Sequence, residues 1–82
     1  MKKWYIYIVK CADNSYYTGI TTDVQRRIKE HNSSPKSARY TRSRRPVQLV
    51  WTKEAKDRSE ASKEEYRIKQ LSRKDKEKLI QG

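Results

Sequence analysis

Residues 3 to 10, KWYIYIVK, carry two apolar sets between flanking lysines: Trp4, Ile6 and Ile8 point one way, Tyr5, Tyr7 and Val9 the other. Side chains that are β-branched or aromatic favour a strand. Neither face is polar, so this strand should be central and covered on both sides. Asp13-Asn14-Ser15 is turn chemistry and Tyr16 to Ile20 is the returning strand, which together predict a hairpin.

The period then becomes helical. Thr22 begins a capping box with Gln25, and Asp23 sits favourably in the first turn. The helix should run to about His31, where Asn32-Ser33-Ser34-Pro35 stops it. Val24, Ile28 and His31 form its inner side, and Arg27 shares the stripe of Val24 and His31, so Arg27 and His31 are expected at the edge of the buried face. Residues 32 to 46, NSSPKSARYTRSRRP, show no period and read as a basic loop. Pro46 opens a third strand, Val47 to about Glu54, with Val47, Leu49 and Trp51 on one face. Asp57 and Glu60 form a second capping box for a helix over roughly residues 58 to 71, on which Ala61, Glu65, Ile68 and Leu71 recur at helical spacing. Ser72 with Asp75 caps a last short helix whose Leu79 and Ile80 should dock on the core. The order ββαβαα predicts an α+β fold, a small three-stranded antiparallel sheet flanked by helices. No repeat, boundary or low-complexity tract appears, so residues 1–82 are expected to form one domain.

Composition adjusts this picture twice. Leu, Ile and Val number only 13, and Phe is absent. With a net charge of +11, such a composition borders on that of disordered chains. Six Tyr and two Trp, and the patterning itself, argue instead for a thin aromatic core. The excess of 21 Lys and Arg over 10 Asp and Glu favours polyanion partners, because each phosphate contact releases condensed counterions. Cys11 stands alone, which excludes a disulfide framework or a cysteine zinc cluster and suits a reducing cytoplasmic setting. No apolar run approaches the ~18 residues of a membrane span.

Glu65 lies in an otherwise inward stripe, where a carboxylate is costly unless it is paired or binds a metal. Its plainer role is an ion pair with Lys69 at i+4, and Glu64 beside it should point more toward water. Arg27 offers a planar fork suited to phosphate, though it is one of many basic residues. His31 is the only histidine, so a multi-histidine metal site is excluded. Tyr7 and Tyr17 are, on the plain view, sheet residues filling a core without Phe. In the basic loop Lys36, Arg39, Arg42, Arg44 and Arg45 could grip a phosphate backbone while Tyr40 stacks on a base or sugar. Lys69 is a further candidate for nucleic-acid contact.

Together these elements resemble the GIY-YIG nuclease superfamily. The first half of its signature stands here as Tyr5-Ile6-Tyr7, with Tyr in place of Gly, and the second as Tyr17-Thr18-Gly19, with Thr in place of Ile. The family's arginine falls eight residues after that glycine, at Arg27, and its frequent histidine four further on, at His31. Its metal-binding glutamate follows an alanine by four residues, as Glu65 follows Ala61. The chain is most similar to small single-domain bacterial members, through RYT at 39–41, RRPVQLV at 44–50 and EASKEEYRIKQLS at 60–72.

The resemblance implies metal-assisted hydrolysis of phosphodiester bonds. Glu65 would hold one Mg²⁺ or Mn²⁺ completed by water and substrate oxygens. Arg27 would stabilise charge on the transferring phosphoryl group. Tyr7 or Tyr17 would orient or deprotonate the attacking water, and His31 would relay the proton. A phenol is only about 0.1% ionised at pH 7, so a base role needs its pKa lowered by about 2 to 3 units. The expected activity is a cytoplasmic endonuclease on DNA, structured or damaged, with RNA as the alternative substrate. The rival reading is a non-catalytic nucleic-acid-binding module of the same fold, and cleavage assays with and without metal separate the two.

Overall fold

The computed structural model describes residues 3–33 and 39–82. Within them run β1 (Trp4–Lys10), β2 (Tyr16–Thr21), α1 (Val24–Ser33), α2 (Arg39–Arg42), β3 (Gln48–Ala55), α3 (Arg58–Lys69) and α4 (Arg73–Gln81). The sheet has the order β2-β1-β3, antiparallel throughout. β1 is therefore central, and its residues Ile6 to Val9 are buried in succession, as its two apolar faces require. At the hairpin tip Cys11 N–H donates to the Ser15 carbonyl at 2.8 Å, and Asn14 takes a left-handed φ of 69°, a conformation that Asn tolerates better than most residues.

Each face of the sheet has its own core. Ile6, Ile8, Ala55, Ala61 and Ile68 pack together under α3, with Trp51 and with Leu79 and Ile80 of α4 against them. On the other face Tyr7, Val9, Cys11 and Val47 are buried beneath Ile28 of α1, with Tyr17 and Leu49 alongside. The sheet is thus a thin middle layer between two helical layers, and the order ββαβαα holds with a four-residue α2 added before β3.

Several local expectations are corrected. The N-cap of α1 is Asp23 instead of Thr22: Asp23 Oδ1 accepts from Arg26 N–H at 3.1 Å, while Thr21 Oγ1 accepts from Asp23 N–H at 3.1 Å. Three adjacent hydroxyl or carboxylate side chains compete there, and the strand end selects the last. The expected face of β3 breaks between Leu49 and Trp51. Ile8 pairs with Trp51 but Val9 pairs with Leu49, so Val50 is an extra residue in the ladder. That bulge turns Trp51 toward Ile8 and the α3 core, while Val47 and Leu49 stay with Tyr7. β3 also runs to Ala55 and α3 ends at Lys69, shifts of one or two residues. The caps at Asp57 and Ser72 stand as read, accepting from Glu60 N–H and Asp75 N–H.

Candidate active site

Tyr7 and Gly19 face each other across β1 and β2. Glycine has no side chain, and the Tyr7 ring fills that space: a Cβ at residue 19 would stand 2.6 Å from Tyr7 Cζ and closer still to its hydroxyl. The phenol is thereby carried over β2, an edge strand, to where α1 passes. His31, on the last turn of α1, meets it with Nε2 at 2.8 Å from Tyr7 Oη. Arg27, one turn earlier, donates to Glu30 Oε1 at 2.9 Å, and its charge bears on the same phenol. Spacing along α1 brings Arg27 and His31 onto one face, as the sequence implies. His31, however, is wholly buried instead of lying at the edge of the interface.

His31 is held on every side. Its Nδ1 lies 2.7 Å from Thr41 Oγ1, and Thr41 is itself fully buried on α2. Tyr17 sets its ring edge-on to the imidazole at 5.4 Å between centroids and stacks with Tyr40 at 5.8 Å. The Arg44 guanidinium lies 4.0 Å from the centre of the Tyr40 ring and reaches Asp13 Oδ2 at 3.0 Å. Arg45 Nε donates to the His31 carbonyl at 2.6 Å, and Asn32 exchanges two hydrogen bonds with the Val47 backbone. The segment read from sequence as an irregular basic loop is, in its described part, a short helix bolted to α1.

Electrostatics follow from this burial. The Tyr7 pKa is pushed up to about 12, chiefly by burial, with Tyr17 and the Glu65 carboxylate adding and Arg27 opposing. That is the reverse of what a free-standing phenolate base needs. His31 is pushed down to about 4, first by burial and then by the charge of Arg27, with Glu30 opposing and Arg45 adding. At neutral pH the imidazole is uncharged. For Arg27, burial works against the proton, but hydrogen bonds to Glu30 and Tyr7 prevail and hold it above the ordinary arginine range.

These two shifts predict how stability depends on pH. His31 binds a proton in the unfolded chain near pH 6.5 and in the folded chain only near 4, so acid favours unfolding across that window. The loss should reach roughly 3 kcal/mol by pH 4. Tyr7 keeps its proton to about 12 when folded against 10 otherwise, so stability should fall again above pH 10. Thermal melts from pH 4 to 11 should show a plateau between about 7 and 9, and a plateau extending unbroken to pH 4.5 would contradict the burial of a neutral His31.

Glu65 stands on α3 beside Ala61 and Ile68, which face the core. Its side chain is 23% exposed and its Oε2 lies 3.2 Å from Lys69 Nζ, while its charge is felt at Tyr7. Glu64, expected nearer water, is no more exposed, at 18%, because Lys53 Nζ at 3.1 Å and Arg67 clamp it between them. Among the described residues no group of three or more His, Cys, Asp or Glu side chains gathers to hold a metal. A single half-exposed carboxylate nevertheless fits a hard divalent ion that keeps most of its ligands as water and substrate oxygens. An i,i+4 pair such as Glu65–Lys69 is worth only a few tenths of a kcal/mol, roughly, and gives way readily.

Of the expected nucleic-acid contacts, Arg39 and Arg42 are exposed on α2, and Arg44, Arg45 and Lys69 are engaged by the internal partners named above. Tyr40 remains partly exposed although its ring is stacked. Lys36 lies outside the described residues. Sequence reasoning passed over Thr41, which had no periodic pattern to mark it, and Tyr66, 69% exposed on α3 directly after Glu65. No helix of the described chain is long and apolar enough to cross a membrane.

The chain is similar to known proteins over nearly its whole length. The UPF0213 protein DP2720 of Desulfotalea psychrophila is 64% identical over 79 residues, 96% of this chain and 72% of that protein. The UPF0213 protein VNG_2274C of Halobacterium salinarum is 55% identical over 76 residues, 93% of this chain and 97% of that one. Among solved structures, the solution structure of the UPF0213 protein BH0048 from Bacillus halodurans superposes with a TM-score of 0.62 at 51% identity, covering 96% of this chain and 83% of that one. The solution structure of EF2693 from E. faecalis gives a TM-score of 0.67 at 44% identity, over 99% and 85%. The model of the GIY-YIG catalytic domain matches residues 3–79, and with hairpin, arginine helix and glutamate helix in its order the chain belongs to the GIY-YIG family.

Proposed function

We propose that this protein is a divalent-metal-dependent endonuclease that hydrolyses phosphodiester bonds of DNA. The observation that carries this reading is the cluster at the edge of β2. The Tyr7 hydroxyl and the neutral His31 ring are hydrogen-bonded there, and the Arg27 and Glu65 charges both bear on the phenol. A buried tyrosine hydroxyl needs one hydrogen-bond partner, which His31 supplies; the added charge of Arg27 and the Glu65 carboxylate go beyond that need. Membership of the GIY-YIG family and the net charge of +11 support a polyanionic substrate.

In this reading Glu65 would hold Mg²⁺ or Mn²⁺ in place of its ion pair with Lys69. When bound, such an ion would supply Lewis-acid stabilisation of the phosphate oxygens. Arg27, 24% exposed at its side chain, faces the scissile phosphate and answers the charge that grows on it, where preorganised donors act most strongly. Tyr7, with its pKa near 12, need not ionise alone. Its oxygen would take the proton of the attacking water as its own proton passes to His31 Nε2, 2.8 Å away, a transfer that the bound anionic phosphate has to favour because burial and Arg27 hold the resting imidazole's pKa at about 4. Tyr17 keeps the imidazole ring in place from the side. Exposed Arg39, Arg42 and Tyr66 extend the contact along the strand.

The test is a panel of end-labelled flapped, branched, nicked, duplex and single-stranded DNAs, with RNA counterparts, incubated with Mg²⁺, Mn²⁺ or EDTA. Cleavage of at least one DNA with metal and none with EDTA is expected. Salt-dependent binding without cleavage of any substrate would favour the non-catalytic module instead.

A further inference from the structure

Thr41 lies in the segment whose sequence announces only basic charge, yet it is wholly buried and its hydroxyl sits 2.7 Å from His31 Nδ1. The other ring nitrogen, Nε2, is 2.8 Å from Tyr7 Oη. A neutral imidazole has one N–H, so one of these contacts has nitrogen as donor and the other has nitrogen as acceptor. The direction is settled by Arg27. A guanidinium carries only positive charge and N–H groups, and its influence on the phenol favours a Tyr7 oxygen that turns a lone pair, not its proton, toward Arg27. The tyrosine's own proton then needs an acceptor in a buried site, and Nε2 is the one at hydrogen-bonding distance. With Nε2 accepting, the ring proton resides on Nδ1 and is donated to Thr41 Oγ1. The opposite tautomer would turn the Nε2–H on the Tyr7 oxygen, on which the Arg27 charge already bears, and leave the phenol's own proton to be placed elsewhere in a residue that is 1% exposed.

We infer that Thr41 is a positioning residue which, by accepting from Nδ1, fixes His31 as the Nδ1–H tautomer and so keeps Nε2 open to the Tyr7 proton. It is buried away from any substrate and acts on the chemistry through His31. The orientation is the one that a proton relay from water through Tyr7 requires. The relay's catalytic meaning rests on the nuclease reading proposed above, whereas the tautomer is a property of the folded protein alone. α2 thereby acquires a role that its charge does not suggest: it presents a hydroxyl to the core side of α1 while its arginines face outward.

The chain has a single histidine, so its imidazole nitrogens can be read without assignment ambiguity. In uniformly ¹⁵N-labelled protein at pH 7.5, long-range ¹H–¹⁵N correlation should show Nδ1 as the protonated nitrogen and Nε2 as the bare one. Thr41→Ser, which keeps the acceptor, should leave that pattern and any cleavage rate within about threefold of the parent. Thr41→Val, which keeps the shape without the acceptor, should move the ring toward Nε2–H and lower cleavage by about 10²-fold. A parent spectrum with the proton on Nε2 overturns the inference outright, whether or not Thr41→Val folds. So does an unchanged Nδ1–H pattern in a folded Thr41→Val. An Nδ1–H spectrum in a protein that cleaves nothing would leave the positioning role standing and refute the nuclease reading instead.

Discussion

Arg27→Ala should lower the single-turnover rate of DNA cleavage by about 10³-fold or more, the scale seen when a preorganised charge on a phosphoryl group is removed. Affinity should change far less, because binding is shared among many cations. The fold should survive the change. Arg27 sits at the rim of α1, and Arg26, already 4.0 Å from Glu30, remains to pair with that carboxylate. What disappears is the charge that bears on the Tyr7 phenol and faces the phosphate. Arg27→Lys keeps the charge but not the planar fork, so it should recover only part of the rate. Cleavage at saturating protein, measured beside fluorescence anisotropy for binding, separates the two effects. An Arg27→Ala protein that binds poorly but cleaves its bound DNA at the parent rate would reduce Arg27 to one more phosphate contact.

The second large effect is expected from Gly19→Ala. Its new Cβ would come within 2.6 Å of Tyr7 Cζ, a separation that real Cβ atoms do not show. The ring cannot swing aside cheaply, since Tyr7 is 1% exposed and tethered at its hydroxyl to His31. Overpacking of this kind costs about 1–3 kcal/mol. In a domain of this size each kcal/mol lowers the melting temperature by about 4–8 °C. Displacing the ring also pulls Oη away from Nε2, so cleavage should fall beyond what the loss of folded protein explains. In a Tyr7→Ala background the same Gly19→Ala change should be nearly neutral, which makes the clash itself measurable as a non-additive term. A parent-like melt for the single Gly19→Ala variant would show that the ring does not occupy that space.

Much of this architecture was legible in the chain because local rules and the global fold agree. The twin apolar faces of KWYIYIVK specify a central strand, and β1 is one. The caps at Asp57 and Ser72, and the stripe carrying Glu65, follow from side-chain chemistry and a period of 3.6. What escaped reading depends on long-range contacts. The bulge at Val50 is an extra residue chosen by the fit of β3 on β1, and strict alternation cannot announce it, so Trp51 lands on the opposite core from Leu49. His31 reads as a rim residue on its helix. It becomes central only because Tyr7, 24 residues away, and Thr41, 10 residues on, close over it. The sequence therefore names most of the candidate site but not its proton geometry. A base role for Tyr7 needs a lowered pKa, and burial raises it instead, outweighing the opposing charge of Arg27. That finding moves the chemical weight from a lone phenolate to the Tyr7–His31 pair.

In the proposed function the carboxylate of Glu65 is what would make the basic cluster a nuclease. Glu65→Gln tests it most directly, since the amide keeps the size of the side chain while removing the charge that would hold a divalent ion. Lys69, the present partner at 3.2 Å, loses only a weak exposed pair, so the fold should be little affected. Cleavage by the parent and the Glu65→Gln protein should be followed on one DNA across a Mg²⁺ titration, with binding measured in parallel. The predicted result is metal-dependent cleavage by the parent, a loss of at least about 10³-fold in the variant at every Mg²⁺ concentration, and DNA affinity within a few-fold. A Glu65→Gln protein that still cleaves at the parent rate in Mg²⁺ would contradict the account.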